Sequence, residues 1–377
     1  TTAFIRRLIR GLVQAGHEVY VLGFNEQLKE AIPGVHYIPL GSNQNTFKFL
    51  KASLYHSIRQ KNLFDLIKTF QLIIKGDRKK LQQNNLTSFI KKNKPDIIHV
   101  QWPSLLPWLL PYYDKKAFKL IISQRGSQTN IRPFVDDVFF NMLNKNYKHL
   151  DGIHSVSKAI EEKRKFFITK ESLKEKVIYT GLNISELMFN AEPPKNKTLN
   201  IISIGRSHWV KGYDIALKCL KIIKQNNIDF KYNIVGAYNN EELLFLINEL
   251  DLVTEVCLLP TMIQEKVFTK IKEANLLLLP SVEEGIANVA VEAMALGTPV
   301  ISTDCGGMKE LIEHNKEGWI VPRRKPKAMA EAILNFTTLN EKEKEAIKRN
   351  ARKKVEHQHS EEKMITDMEN LYQTVIN

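Results

Sequence analysis

The sequence predicts an α/β protein of two doubly wound domains, each built on a parallel sheet. Three observations lead there. Apolar runs at 96–100, 120–123, 199–204, 230–235 and 276–279 have strand length and polar boundaries, as buried parallel strands do. Stretches with the 3.6-residue spacing of amphipathic helices lie between them. Finally, 377 residues exceed one ordinary core. The two series are separated at 191–197 by AEPPKNK, two prolines among polar residues with no periodicity, which reads as a linker.

Composition narrows the class. The chain is 43% hydrophobic and 25% charged, without low-complexity tracts, so it is globular. Its three cysteines, Cys219, Cys257 and Cys305, form no close pair, which argues against a disulfide scaffold or a zinc ribbon and fits a reducing cytosol. No run has the apolar length of a membrane span; the richest, 102–113, is interrupted by Pro103, Pro107 and Pro111. The net charge of +14 is unevenly spread: up to Lys195 there are 31 Lys and Arg against 16 Asp and Glu, and from Asn196 onward 24 against 25. A basic half points to an anionic partner. No nucleic-acid-binding motif accompanies the charge, so an anionic membrane surface is expected and nucleic acid is not.

In chain order, a helix is expected over 3–14, a turn at Gly16 and a strand over 18–22. Residues 45–93 are Lys-rich and helical in pattern. Their lysines, including Lys48, Lys51, Lys61, Lys68, Lys79 and Lys80, with Phe47, Phe49 and Phe64, make either a solvated face or a cationic aromatic surface for lipid headgroups. Strands follow at 96–100 and 120–123, the second ending in Gln124-Arg125-Gly126-Ser127; His154-Ser155-Val156-Ser157 closes another strand, before a helix at 159–167. Beyond the linker, the strand 199–204 runs into Gly205-Arg206-Ser207-His208-Trp209-Val210-Lys211-Gly212. Arg206 leaves the strand end and Lys211 opens the next helix, so two cations project where a diphosphate would sit. The second sheet continues with strand 230–235 and Gly236, helix 241–250, strand 255–259 and helix 264–274. Helices at 327–337, 341–356 and 361–376 end the chain.

Between the strand 276–279 and the helix 288–296 lies Glu283-Glu284-Gly285, at the carboxyl edge of a sheet where open α/β folds bind ligands. Gly297 and Pro299 stop the helix. Glu284 and Glu292 are separated by roughly 10–12 Å at 1.5 Å per helical residue, too far to act on one bond and suited to two ends of a long ligand. The N–H groups of Ile286, Ala287, Asn288 and Val289 present the positive helix end between them. As the bland alternative, Glu284 is a solvated loop residue and Glu292 an exposed helix charge.

The block Pro280-Ser281, Glu284-Gly285, Asn288, Glu292-Ala293-Met294-Ala295, Gly297, Pro299-Val300-Ile301, Gly306-Gly307, Glu310 and Gly318-Trp319-Ile320-Val321-Pro322 resembles the donor-binding signature of retaining GT-B glycosyltransferases of glycosyltransferase family 4. That resemblance implies two Rossmann-like domains facing across a cleft: an N-terminal acceptor domain over 1–190, the linker 191–197, and a nucleotide-sugar domain over 198–360, with 361–377 packing back on the first. It implies that the family's first strand and glycine-rich loop would precede Thr1. It also assigns roles. Gly205, Arg206 and Lys211 would hold the diphosphate and stabilise it as it leaves. Glu284, with Gly285, Ile286, Ala287 and Asn288, would bind the donor sugar, and Glu292 the ribose. Gly236 would border the base, with Pro260 where a glycine is commoner. Arg125 and Gly126 stand on the acceptor side, Arg125 replacing the family's usual histidine, where an arginine could hold phosphate or an anionic acceptor. Tyr179-Thr180-Gly181-Leu182-Asn183 resembles the turn at the domain exit.

The expected reaction is therefore transfer of a sugar from a nucleotide-diphosphate sugar to a glycan or lipid-linked acceptor, with retention, in cell-envelope polysaccharide synthesis at the cytoplasmic face. No Asp-x-Asp occurs, so no metal or other cofactor is expected, and charge on the leaving group falls to Arg206, Lys211 and the helix end. A degenerate GT-B protein that binds nucleotide sugar or glycan without transfer is the alternative.

Overall fold

The computed structural model describes residues 3–24, 30–42, 44–114, 117–192 and 198–377. Of the expected linker, residues 193–197 lie outside the described residues. Helix α1 (Ala3–Gln14) leads into β1 (Val19–Phe24), which pairs in parallel with β2 (Val35–Gly41). Three helices follow, α2 (Thr46–Arg59), α3 (Leu63–Ile74) and α4 (Arg78–Asn93). A four-stranded parallel sheet then runs in the order β3 (Ile97–Val100), β4 (Lys119–Gln124), β5 (Gly152–Ser155), β6 (Lys174–Val177). The second half is a six-stranded sheet, entirely parallel: β7 (Leu199–Ile204), β8 (Phe230–Val235), β9 (Val256–Leu259), β10 (Leu276–Leu279), β11 (Val300–Thr303) and β12 (Trp319–Val321), in the order β12-β11-β10-β7-β8-β9.

The sequence rules explain most of these elements. Strands β10 and β11 are buried along their whole length, which their unbroken apolar runs require of a sheet covered on both faces. The helix Asn288–Leu296 ends at Gly297, whose φ of +88° closes the last turn in the left-handed region. Three strands were not expected. β6 reads Lys-Glu-Lys-Val and sits at a sheet edge, where charge is tolerated. β2 carries Pro39, which an edge strand accommodates, and β12 has only three residues. The helix expected over 159–167 is one turn, Lys158–Glu162, followed by the tighter turn Lys163–Phe166. Prolines 103, 107 and 111 wind the apolar run into a 3₁₀ helix, Pro103–Tyr112.

The last helix, Glu361–Ile376, crosses back. Met364, Met368, Leu371, Tyr372 and Val375 pack with Leu8 and Leu12 of α1 and with Ile121 and Ile178. The crossing is close: a Cβ on Gly11 would lie 2.3 Å from Ile365 Cδ1. The chain leaves the first half and returns to it side by side. Leu182 N–H donates to His359 O at 2.8 Å and Glu361 N–H to Leu182 O at 3.0 Å. Gly181 permits this contact, since a Cβ there would stand 2.7 Å from Ser360 O. Among the described residues, no helix is long and apolar enough to cross a membrane.

Candidate functional site

The carboxyl ends of β7, β8 and β10 converge on the loops 205–212 and 280–287. Gly205, with φ of +157°, is a tight position, because a Cβ would crowd the Tyr213 hydroxyl at 3.0 Å and Lys211 Cε at 3.1 Å. Tyr213 donates to Gly205 O at 3.0 Å and holds the turn. Gly236, at φ +96°, lets the β8 turn approach Gly205 O. Lys211 ends the short turn Trp209–Lys211 and stands two residues before the helix Tyr213–Gln225, a small correction to its expected place at the helix start. Gly212 fixes that step, with φ +64° and a would-be Cβ 2.1 Å from Pro280 O.

The two loops are joined by a charge pair. Lys211 Nζ lies 2.5 Å from Glu284 Oε1, both largely shielded from solvent. Ser281 donates to the same oxygen at 3.0 Å. Glu284 is thus no solvated loop residue: its carboxylate holds the ammonium beside the Gly205 turn. Arg206 is exposed and, among the described residues, makes no ion pair. The helix Asn288–Leu296 opens at Ala287 without a side-chain cap. The N–H of Ala287 points at Met308 Sδ, 3.4 Å away, and so departs from the expected row of outward donors.

Glu292 lies apart from that pair. Gln264 donates to its Oε1 at 3.2 Å. Burial raises its pKa to about 7, against the opposing charge of Arg7 on α1. An exposed helix charge would not behave so. Arg7, itself lowered by burial, donates to Gly181 O at 3.2 Å. Arg7, Gln264 and Tyr213 carried no signal in the sequence, since each is defined by a partner far along the chain.

The first half supplies the facing wall. A Cβ on Gly285 would stand 2.5 Å from Arg125 O and 2.9 Å from Val156 Cγ2, so only glycine lets the walls close there. Asn130 donates to Glu283 Oε1 at 3.1 Å, and Arg323 pairs with the other oxygen at 3.1 Å. Glu310 accepts from the N–H groups of Lys158 and Ala159, each at 2.9 Å, and from the Tyr179 hydroxyl at 3.0 Å. A carboxylate of the second half thereby caps a helix of the first. Arg125 folds inward at the end of β4, with Gly126 beside it beginning the short helix Ser127–Asn130. The structure therefore brings Gly205, Lys211, Gly236, Glu284 and Gly285 together, sets Arg125 across from them, and leaves Glu292 a helix turn or more away facing Arg7. Among the described residues, no group of three or more His, Cys, Asp or Glu side chains is placed to hold a metal ion.

Comparison with known proteins places this arrangement. Residues 185–354 match the family profile "Glycosyl transferases group 1". An amylovoran biosynthesis glycosyltransferase of Erwinia amylovora is 34% identical over 172 residues, covering 43% of this chain and 42% of that protein. The chain spans about half the length of such curated relatives. Sucrose-phosphate synthase from Thermosynechococcus elongatus superposes with a TM-score of 0.77 at 17% identity, covering 99% of this chain and 92% of that one. An Anabaena protein solved in complex with UDP and glucose gives a TM-score of 0.71 at 17% identity over 99% and 96% of the two chains. Such low identities show the fold alone, two Rossmann-like domains in the GT-B arrangement. Residues 185–354, with Arg206, Lys211, Glu284 and Glu292 among them, are thus similar to the glycosyl transferases group 1 family, in a chain of GT-B fold.

Proposed function

We propose that the protein transfers a sugar from a nucleotide-diphosphate donor to a glycan or lipid-linked acceptor, with retention of configuration, in the synthesis of a cell-envelope polysaccharide. The observation that carries this reading is the Lys211–Glu284 pair beside the Gly205 turn, at the carboxyl edge of a parallel sheet and next to an uncapped helix end. A diphosphate entering there meets Lys211, Arg206 and the helix N–H groups, while Glu284, released from Lys211, accepts from sugar hydroxyls. Glu292, eight residues on, accepts from the ribose. Charge growing on the leaving group is met by cations already in place. The domains divide as 1–190 with 361–377 for the acceptor and 198–360 for the donor. The amylovoran relative supports a polysaccharide product, and the complex of the Anabaena protein favours UDP as the first nucleotide to try.

Calorimetry with UDP, GDP and ADP tests the donor clamp. Lys211→Ala and Arg206→Ala should each weaken the preferred diphosphate ten- to hundredfold, as loss of a charge-assisted contact of about 1.5–3 kcal/mol implies. Turnover of the matching nucleotide sugar should persist in EDTA. Unchanged affinity in both variants removes the assignment. Binding without turnover across a sugar panel favours a protein that holds nucleotide sugar and does not transfer it.

The first domain is further proposed to rest on an anionic membrane at the cytoplasmic face. α3 supports this, because its apolar side faces out. Leu63, Phe64 and Ile74 are 69%, 83% and 84% exposed, and the helix buries only Thr69. Phe47 on α2 is also exposed, whereas Phe49 is buried in the core and does not belong to the surface expected from the sequence. Lys48, Lys51, Lys61, Lys68, Lys79 and Lys80 are all exposed around these side chains.

A further inference from the structure

The wall behind Gly285 contains a cation, Arg125, to which no carboxylate among the described residues supplies a counter-charge. The Arg125 guanidinium lies against the Phe4 ring at 4.5 Å. Its Nη2 donates to Gln101 Oε1 at 2.9 Å and to Ser123 Oγ at 3.2 Å. Its Nε is buried with no acceptor. Among the described residues no carboxylate pairs with it, and burial lowers its pKa to about 9, with Tyr372 the one side chain that opposes the shift.

The groups beneath Arg125 stay neutral, and their hydrogen bonds fix why. His154 Nε2 lies 2.9 Å from Ile178 O, so it carries the proton and donates. In the neutral ring Nδ1 must then accept, and its partner at 2.8 Å is the Ser123 hydroxyl. Having given its proton, Ser123 Oγ can only accept from His99 Nε2 at 2.8 Å. His99 Nδ1 therefore accepts from the Tyr372 hydroxyl at 2.8 Å. Burial and the nearby Arg125 charge hold His99 at about 3 and His154 well below its usual value. Every donor and acceptor of this chain is matched without one negative charge. A buried guanidinium left so is costly, and such costs collect at sites that receive a ligand.

We propose that Arg125 is the subsite for an anionic group, a carboxylate or a phosphate, on the saccharide that enters the cleft, and that it makes the protein select an acidic sugar. This rests on the reading of the cleft as a nucleotide-sugar and acceptor site. The contact of Gly285 with the Arg125 carbonyl sets the Arg125 backbone against the loop that carries Glu284, proposed above for the donor sugar. An incoming oxyanion supplies both the missing charge and an acceptor for Nε, and the planar guanidinium fork suits either anion. The acidic sugar is either the donor's or the acceptor's.

Binding by the full chain separates the sources in two arms, with wild type, Arg125→Met and Arg125→Lys. The donor arm compares UDP-glucuronic acid with UDP-glucose. The acceptor arm compares free glucuronate and glucose 1-phosphate with methyl glucoside, with and without UDP. Wild type should prefer the anionic member of one arm by about tenfold or more. The Met variant should lose that preference, keep its affinity for UDP, and melt no lower than wild type, since it loses an unpaired charge. The Lys variant should retain part of the preference. Equal affinities in both arms overturn the proposal, as does a Met variant that keeps the preference, or one that melts lower with the preference intact. Wild type that binds no nucleotide of the calorimetric panel sinks the transferase reading instead. The free glucuronate comparison, which needs no nucleotide, then still decides on Arg125.

Discussion

Glu292 and Glu284 belong to one short motif, yet their surroundings hold them in opposite states. Glu284 rests against the Lys211 ammonium. Glu292 is desolvated, and its pKa near 7 is well above the 4.5 of a free glutamate. The sign follows from proton counting. Below pH 4.5 both folded and unfolded chains hold the proton; between 4.5 and 7 the folded chain binds more, so stability falls as pH rises, and above 7 the loss is complete. A shift of this size corresponds to about 3 kcal/mol at 1.36 kcal/mol per pH unit. Glu292→Gln should therefore melt higher than wild type at pH 8, converge with it near pH 4.5, and bind the nucleotide diphosphate more weakly than wild type. Melting curves across pH with parallel titrations read this. A variant that is less stable at pH 8 would contradict it.

At the scale of an element, α3 departs from its own amphipathic rule. A helix on a domain normally turns its apolar side inward. Here Thr69 faces in, accepting from Asn84 on α4 at 3.1 Å and donating to Asp65 O at 2.8 Å, and Phe64, Phe70 and Ile74 face out. Full burial of one such side chain is worth about 1.5–3 kcal/mol, and each nearby lysine about 1 kcal/mol at an anionic surface. Phe64→Ser with Ile74→Ser should thus cut sedimentation with phosphatidylglycerol vesicles by tenfold or more without lowering the melting temperature. Raised salt should weaken what remains, because charges beyond about 8 Å are screened at physiological strength. Equal binding of wild type to neutral and anionic vesicles, or none to either, would leave the lysines as a solvated face.

At the scale of the whole molecule, the contacts that join the two halves include the paired crossings at Leu182 and Ser360, the close approach at Gly285, the Asn130–Glu283 hydrogen bond, and the cap that Glu310 places on the helix Lys158–Glu162. The cap is a single carboxylate serving two N–H groups and a tyrosine. Glu310→Ala should loosen the closed form, with a larger radius of gyration by solution scattering and a lower kcat, while each half keeps its fold. Loss of a helix cap costs typically about 1 kcal/mol, so the effect on melting should be small. An unchanged radius together with unchanged kcat would show that the cap does not hold the cleft.

The sequence by itself determined the parallel strands with long apolar runs, β7, β8 and β10, and the helix Asn288–Leu296 with its glycine stop. Each depends on local pattern or on glycine and proline geometry, which neighbours in sequence suffice to state. The loop residues proposed for the donor, Gly205, Arg206, Lys211 and Glu284, could be named for the same reason, lying at fixed spacing within two short loops. What the tertiary structure alone decided is which charges are matched. Arg7 against Glu292, Lys211 on Glu284, Glu310 capping a distant helix, and Arg125 with no carboxylate all depend on residues that the fold brings together from far apart in the chain. Burial and pairing set the energy of a charge, and neither is a property of the residue or of its neighbours in sequence.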